Sequence, residues 1–309
     1  MTRTVLVVGG AGLIGAATAL HLARLGHDVT IAGRTPPRSR ALAKLPFLRG
    51  SFLTDDFSDA TLGRFDSLVF AAGNDVRQLP AAADEAEFFH RANSVGVPAF
   101  LERAKRAGIA TAVYVGSYYS YVLPSAKIDA SGYLRSRRAS DEGVRALAGS
   151  DFRVCSLNAP FTIGYVEGVS GLPIETSVRY LLGLMDGPGP RWMIPGGGNF
   201  MSTLSFAEAV SGALERGENG KGYLLGDENW TFAHYYELLL DAMGRRERVQ
   251  VRDEEHPSMP DFSLYAGRGA TVAYDPDPGM VVRLGYRRHD AERVVREMAP
   301  YYRRLVESS

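Results

Sequence analysis

Val7-Val8-Gly9-Gly10-Ala11-Gly12-Leu13-Ile14-Gly15 places a strand, a glycine turn and a helix start in direct succession. The apolar run Thr4 to Val8 reads as a fully buried strand, and apolar residues recur at helical spacing from Leu13 to Leu25. Gly9 and Gly10 permit a tight turn, Gly12 lets the backbone approach a pyrophosphate, and Gly15 lets the helix pack closely on the strand. Free N–H groups of the first helical turn, which begins with Leu13 and Ile14, then face the phosphates. The turn therefore predicts a dinucleotide site.

Outward from this turn, strand and helix patterns alternate to about residue 165. Strands are expected at Asp28 to Ala32, Ser67 to Ala71, Ala112 to Val115 and Phe152 to Leu157. Such alternation predicts an α/β fold with a doubly wound parallel Rossmann sheet. Beyond residue 165 the regularity fails, and Gly and Pro crowd Asp186 to Gly198 and Asp275 to Gly279, which suggests loops. A short strand at Tyr223 to Leu225 and a helix from Thr231 to Met243 interrupt them. We expect a dinucleotide-binding domain over 1–165 and a smaller mixed substrate-binding region over 166–309, with some of its segments returning to the Rossmann core.

Composition narrows the partners. The 309 residues include 35 basic and 35 acidic side chains, so no global field draws the chain to nucleic acid or an anionic membrane. No apolar stretch is long enough to span a bilayer, and the N-terminus lacks the layout of a signal peptide. The single cysteine, Cys155, lies in an apolar strand pattern, which predicts an inert core thiol and a reducing, cytoplasmic setting. The six histidines are scattered without metal-ligand spacing, so no metal is expected. A small molecule is the expected partner.

An acidic residue after the second strand would accept hydrogen bonds from the adenosine ribose and repel a 2′-phosphate. Here the strand ends Ile31-Ala32-Gly33-Arg34-Thr35, with Arg38 and Arg40 close behind. Planar, permanently charged guanidinium groups suit a phosphate, so the sequence favours NADP(H) over NAD(H), with Arg34 and Arg38 as ligands.

Val113-Tyr114-Val115-Gly116-Ser117 is a strand with a hydroxyl at its carboxyl end, where open parallel sheets bind ligands. Tyr133 follows sixteen residues later, with Arg137 four positions further on. A helix capped by Ser131 puts Tyr133 and Arg137 on one face.

With these residues the chain resembles the extended branch of the short-chain dehydrogenase/reductase superfamily, the branch of epimerases and dehydratases. The matching segments are Gly9 to Gly15, Ala71-Ala72-Gly73, Asn93-Ser94-Val95-Gly96, Ser117, Tyr133 to Arg137 and Leu284-Gly285-Tyr286. The resemblance implies that Tyr133 is the acid/base, that Ser117 holds the substrate oxygen, and that a cation at position 137 orients the ribose and acidifies the phenol. A free phenol titrates near pH ~10, so reaching neutrality means favouring phenolate by roughly 4 kcal/mol. The family has lysine where this chain has Arg137, which keeps the charge but not the ammonium's point geometry or its proton relay.

The resemblance also implies that Ala71, Ala72 and Gly73 line the cofactor site, that Asn93 lines it too or helps fix the helix carrying Tyr133, and that Asn158-Ala159-Pro160-Phe161-Thr162-Ile163-Gly164 runs along the nicotinamide. Asn93 reads equally well as a buried polar residue bonding backbone. Pro160 and Phe161 are thus expected at the cofactor, and Asn158, Tyr119, Tyr121, Trp192 and Met193 at the substrate. Phe200, with Trp192 and Met193, favours an apolar or aromatic ligand.

The expected activity is interconversion of a ketone and a secondary alcohol on a small, mainly apolar substrate. The alternatives are a redox-neutral epimerase, dehydratase or isomerase, and a nucleotide-sensing protein without turnover. Family members often pair through helices, so a homodimer is expected.

Overall fold

The computed structural model describes residues 2–185 and 189–308. Thirteen strands occur among them: β1 Thr4–Val8, β2 Asp28–Gly33, β3 Phe47–Arg49, β4 Ser67–Phe70, β5 Thr111–Ser117, β6 Arg153–Ala159, β7 Phe161–Ile163, β8 Trp192–Met193, β9 Gly197–Ser202, β10 Gly222–Leu224, β11 Glu228–Thr231, β12 Gln250–Val251 and β13 Thr271–Val272. Seven of them form one sheet in the order β10-β6-β5-β4-β1-β2-β3, every neighbouring pair parallel. The chain starts in the interior of the sheet at β1, moves outward to β3, then returns to add β4, β5 and β6 on the other side. Ligand sites in such sheets lie at the carboxyl ends of strands where the order reverses.

The period of two along β1 sorts its side chains. Val5 and Val7 join one core with the helix Leu13–Arg24 and the helix Thr203–Arg216, whereas Leu6 and Val8 join another with the helix Gly96–Arg106. Both faces of the sheet are covered, which is why its strands read as continuous apolar runs. Cys155 is buried in the first core, and burial pushes its thiol up to about 12, so it is no nucleophile at neutral pH.

The C-terminal half differs from the reading of its Gly- and Pro-rich stretches. Of Asp186 to Gly198, residues 186–188 lie outside the described residues. The rest holds β8 and the start of β9, because backbone pairing of β8 with β12 and of β9 with β7, β11 and β13 imposes an extended path that composition does not signal. Within Asp275 to Gly279, Asp277 accepts from the Met280 N–H and caps the helix Pro278–Leu284. β10 returns to the edge of the main sheet beside β6. The helix Ala291–Glu307 ties down the loop after β7: the Gly168 N–H donates to the Tyr301 hydroxyl at 3.2 Å, and the Tyr302 hydroxyl donates to the Gly164 carbonyl at 3.1 Å. That loop borders the cavity described next.

Candidate active site

A cavity of about 900 Å³ opens along the carboxyl ends of β1, β2, β4, β5 and β6. The glycine turn forms one end. Gly9 has φ +81°, and a Cβ on it would lie 2.6 Å from the Ala71 carbonyl oxygen. A Cβ on Gly15 would overlap the Gly9 carbonyl. The turn is thus wedged between β4 and its own helix, with Gly12, Leu13 and Ile14 bordering the cavity. Gly33 and Arg34 border it at the end of β2, and Ala71, Ala72 and Gly73 after β4.

Ser117 ends β5 and lines the same cavity, 9 % exposed. The Ser131 hydroxyl accepts from the Leu134 N–H at 3.2 Å and starts the helix Gly132–Arg145. Four-residue spacing then brings Tyr133 and Arg137 to the cavity together. Arg137 is 8 % exposed. Its Nη2 donates to the Val115 carbonyl at 2.8 Å, its guanidinium lies 5.5 Å from the Tyr114 ring centroid, and Nη1 rests against Gly73. Its Nε is buried with no hydrogen-bond partner among the described residues. A buried donor without a partner costs about 1–3 kcal/mol, so this atom is poised for a ligand oxygen.

Tyr133 sits between aromatic rings, stacked on Tyr265 (centroids 5.1 Å apart, planes 19° apart) and edge-on to Phe89 at 5.3 Å. This packing corrects the expectation of an acidified phenol. Burial raises the Tyr133 pKa above the ordinary tyrosine value; Arg137 pulls it down, Asp75 pushes it up, and burial prevails. The resting hydroxyl is protonated at neutral pH.

Other expected residues lie elsewhere. Asn93 is buried away from the cavity: its Oδ1 accepts from the Asn74 N–H at 3.0 Å, and its Nδ2 donates to the Asn74 carbonyl at 2.9 Å and to Ser136 at 3.1 Å. It thereby ties the loop after β4 to the helix that carries Tyr133. It projects from a π-helical segment, His90–Val95, just ahead of Pro98. Pro98 cannot donate to Ser94 and its ring crowds that carbonyl, which favours a widened turn upstream.

Tyr121 and Asn158 also lie outside the lining. The Tyr121 hydroxyl donates to the buried Asp141 carboxylate, which pairs with Arg145 at 2.9 Å and has Asn158 Nδ2 at 3.5 Å. Together these groups form a polar layer between the sheet and the Tyr133 helix, in which the Asn158 Oδ1 has no hydrogen-bond partner among the described residues. Trp192 packs edge-on to His256 at 4.7 Å, and Met193 is fully buried in the C-terminal core, as is Phe200. Exposed Arg38 is outside the lining. Tyr119, Pro160 and Phe161 border the cavity.

Asp75, Arg77 and Tyr265 are among the lining residues that escaped the sequence reading. Asp75 follows Ala71-Ala72-Gly73 at a strand's carboxyl end, a position that alone could have flagged it. The Arg77 Nε donates to both Asp75 oxygens, at 3.1 and 3.0 Å. Tyr265 sits in an irregular stretch, and only tertiary packing brings it onto Tyr133.

The match to known proteins agrees with this geometry. The model of the NAD dependent epimerase/dehydratase family matches residues 5–178, and the chain belongs to that family. No curated protein sequence matches it. Among solved structures it is similar to the UDP-glucose-4-epimerase from Stenotrophomonas maltophila with bound NAD and formylated UDP-arabinopyranose (16 % identity, TM-score 0.76, 99 % of this chain and 100 % of that one). It is also similar to the UDP-N-acetylglucosamine 4-epimerase from Bacillus cereus (14 %, 0.73, 98 % and 100 %) and to the Bordetella bronchiseptica enzyme WbmG in complex with NAD and UDP (19 %, 0.72, 99 % and 96 %). At these identities the likeness establishes a shared Rossmann-type fold. The residues present fit a dinucleotide: a wedged glycine turn with Gly12 at the cavity, and Arg137, with its unpartnered Nε, one helical turn from Tyr133 in the same lining. Among the described residues, no helix is long and apolar enough to cross a membrane.

Proposed function

We propose that this chain is an NADP(H)-dependent oxidoreductase that interconverts a ketone and a secondary alcohol on a small, mainly apolar substrate. The observation that carries this reading is one continuous cavity bordered by the glycine turn, Ser117, Tyr133 and Arg137. When bound, the dinucleotide supplies or accepts the hydride. Ser117 donates a hydrogen bond to the substrate oxygen, and Tyr133 gives that oxygen its proton in reduction or removes it in oxidation. Arg137 donates to the ribose through its unpartnered Nε and steadies the phenolate that remains after proton transfer. Stoichiometric loss of NADPH absorbance with a ketone tests the reading; conversion with no net cofactor change would instead favour the redox-neutral alternative, which family membership supports.

The charge distribution of the lining supports a substrate other than a nucleotide sugar. Its described charged residues are Arg34, Arg77, Arg137 and Asp75, all on the Rossmann side, while the C-terminal half contributes Phe232, Tyr235, Met259 and Met298. A diphosphate would require cations there. Arg191 is buried and donates to the Tyr180 carbonyl at 2.8 Å.

For the cofactor, Asp75 is the lone acid among the described lining residues, and Arg34 stands at the end of β2. Arg34→Ala is expected to weaken NADP binding by about 10–100-fold, the worth of a charge-assisted hydrogen bond, and to leave NAD binding unchanged. Calorimetric titration with both nucleotides decides it, and an equal loss for both would assign Arg34 to a shared part of the ligand.

The raised Tyr133 pKa fixes a pH dependence. Reduction needs the protonated phenol, so its rate should stay level through neutrality and fall only as pH rises through the raised pKa. Oxidation needs phenolate, so its rate should climb with pH without a plateau below about pH 10. Removing the Asp75 charge by Asp75→Asn should move both profiles to lower pH. Measured pH–rate profiles in both directions test this, and an oxidation plateau near neutrality would overturn it.

A further inference from the structure

The distal end of the substrate cavity is lined mainly by apolar side chains, with the hydroxyls of Ser177, Tyr235 and Ser258 among them. Ser177, on the helix Pro173–Leu181, and Ser258 both border it, at 5 % and 9 % exposure, among Phe232, Tyr235 and Met259. Behind them lies Tyr236, fully buried and outside the lining. Its hydroxyl is 2.8 Å from both serine hydroxyls.

The directions of these bonds can be worked out from proton counts. The Ser177 hydroxyl donates to the Pro173 carbonyl, and Tyr236 donates its single proton to Ser177. The third contact, between Tyr236 and Ser258, can then form only with Ser258 as donor. Burial pushes the Tyr236 pKa up to about 12, so the tyrosine keeps that proton. His256 Nδ1, which accepts from the Ser258 N–H at 3.2 Å while Nε2 faces the Trp192 carbonyl at 3.1 Å, also lies 3.2 Å from the Ser258 hydroxyl and is a second acceptor for the same proton, so Ser258 is the donor toward either neighbour. The whole relay runs one way, from Ser258 through Tyr236 and Ser177 to Pro173. Ser258 is left presenting lone pairs to the cavity.

We infer that the substrate carries, at the far end of its apolar body from the reacting carbon, an uncharged hydrogen-bond donor, a hydroxyl group, which Ser258 accepts. No Lys, Arg, Asp or Glu of the C-terminal half borders the cavity among the described residues, so a charged group would go unpaired there. At Ser258, whose proton is engaged by its neighbours, an ether or carbonyl oxygen would face another acceptor. This inference rests on the reading that Ser117 and Tyr133 hold a carbonyl or alcohol at the other end of the cavity.

The test uses the NADP-loaded protein and a graded series of alkyl and phenylalkyl methyl ketones whose far end bears a hydroxyl, a methyl ether or hydrogen. Binding is followed by calorimetry and turnover by NADPH absorbance. The hydroxylated member of the best-fitting length should bind about 3–10-fold more tightly than its ether and its parent, the worth of one neutral hydrogen bond. Ser258→Ala should erase that preference while leaving affinity for the parent ketone unchanged. Tyr236→Phe, in which the Ser258 proton passes to His256 Nδ1, should keep the preference of the hydroxyl over the ether. Thermal melting of both variants shows that they remain folded, and Ser258→Thr, which keeps the hydroxyl, should retain the preference. A preference that survives in Ser258→Ala, or ketones that turn over without any preference, would overturn the inference and leave the oxidoreductase reading standing. A series that neither binds nor reacts would overturn both.

Discussion

Tyr133→Phe is expected to lower turnover by about 10²–10⁴-fold, the range that a positioned general acid or base contributes. The variant loses one hydroxyl and keeps the ring, so its stacking on Tyr265 and its edge contact with Phe89 persist. Dinucleotide affinity and thermal stability should therefore stay close to those of the parent. Because burial already disfavours phenolate, water entering this pocket would be a poor substitute for the missing proton donor. Steady-state kinetics in both directions, with calorimetric titration of NADP and a melting curve, separate a chemical role from a structural one. Undiminished turnover would remove Tyr133 from the mechanism and, with it, the oxidoreductase reading; a nucleotide-sensing protein would behave in that way.

Gly15→Ala should produce the second large effect, on binding rather than on chemistry. The new methyl would overlap the Gly9 carbonyl and lie 2.8 Å from its carbon and 3.0 Å from the Gly10 Cα. The glycine turn cannot retreat, because Gly9 is packed against Ala71 on its other side. Either the turn lifts away from the helix Leu13–Arg24 or the helix moves, and in both cases the first-turn N–H groups lose their line to a bound pyrophosphate. We expect dinucleotide affinity to fall by about 100-fold, close to 3 kcal/mol, with a stability loss of about 1–3 kcal/mol from overpacking. Calorimetry on the folded fraction and a denaturant titration measure the two effects independently. Unchanged affinity would mean that the dinucleotide does not use this turn.

Arg137 and Tyr133 illustrate how local pattern and surroundings divide the site. Their four-residue spacing behind a serine cap fixed their common helical face in the chain itself. Whether the guanidinium or the apolar surroundings governs the phenol depended on Phe89 and Tyr265, which lie far away in sequence. Trp192 and Met193 show the same division for the substrate lobe. Apolar character was legible in the chain, but these two side chains face the C-terminal core, and Phe232, Tyr235, Met259 and Met298 take their place at the cavity.

The sequence by itself determined the α/β class, the position and wedge of the glycine turn, and the hydroxyl, phenol and guanidinium at the sheet's carboxyl edge. These are short-range matters: apolar runs, helical periodicity, a cap and the steric freedom of glycine act within a few residues. Only the tertiary structure decided that β9 is a strand, that Asn93 braces a loop, that Tyr133 rests protonated, and that Ser177, Tyr236 and Ser258 form a one-way relay. Those outcomes follow from burial and from hydrogen bonds between distant segments, and neither quantity exists until the chain has folded.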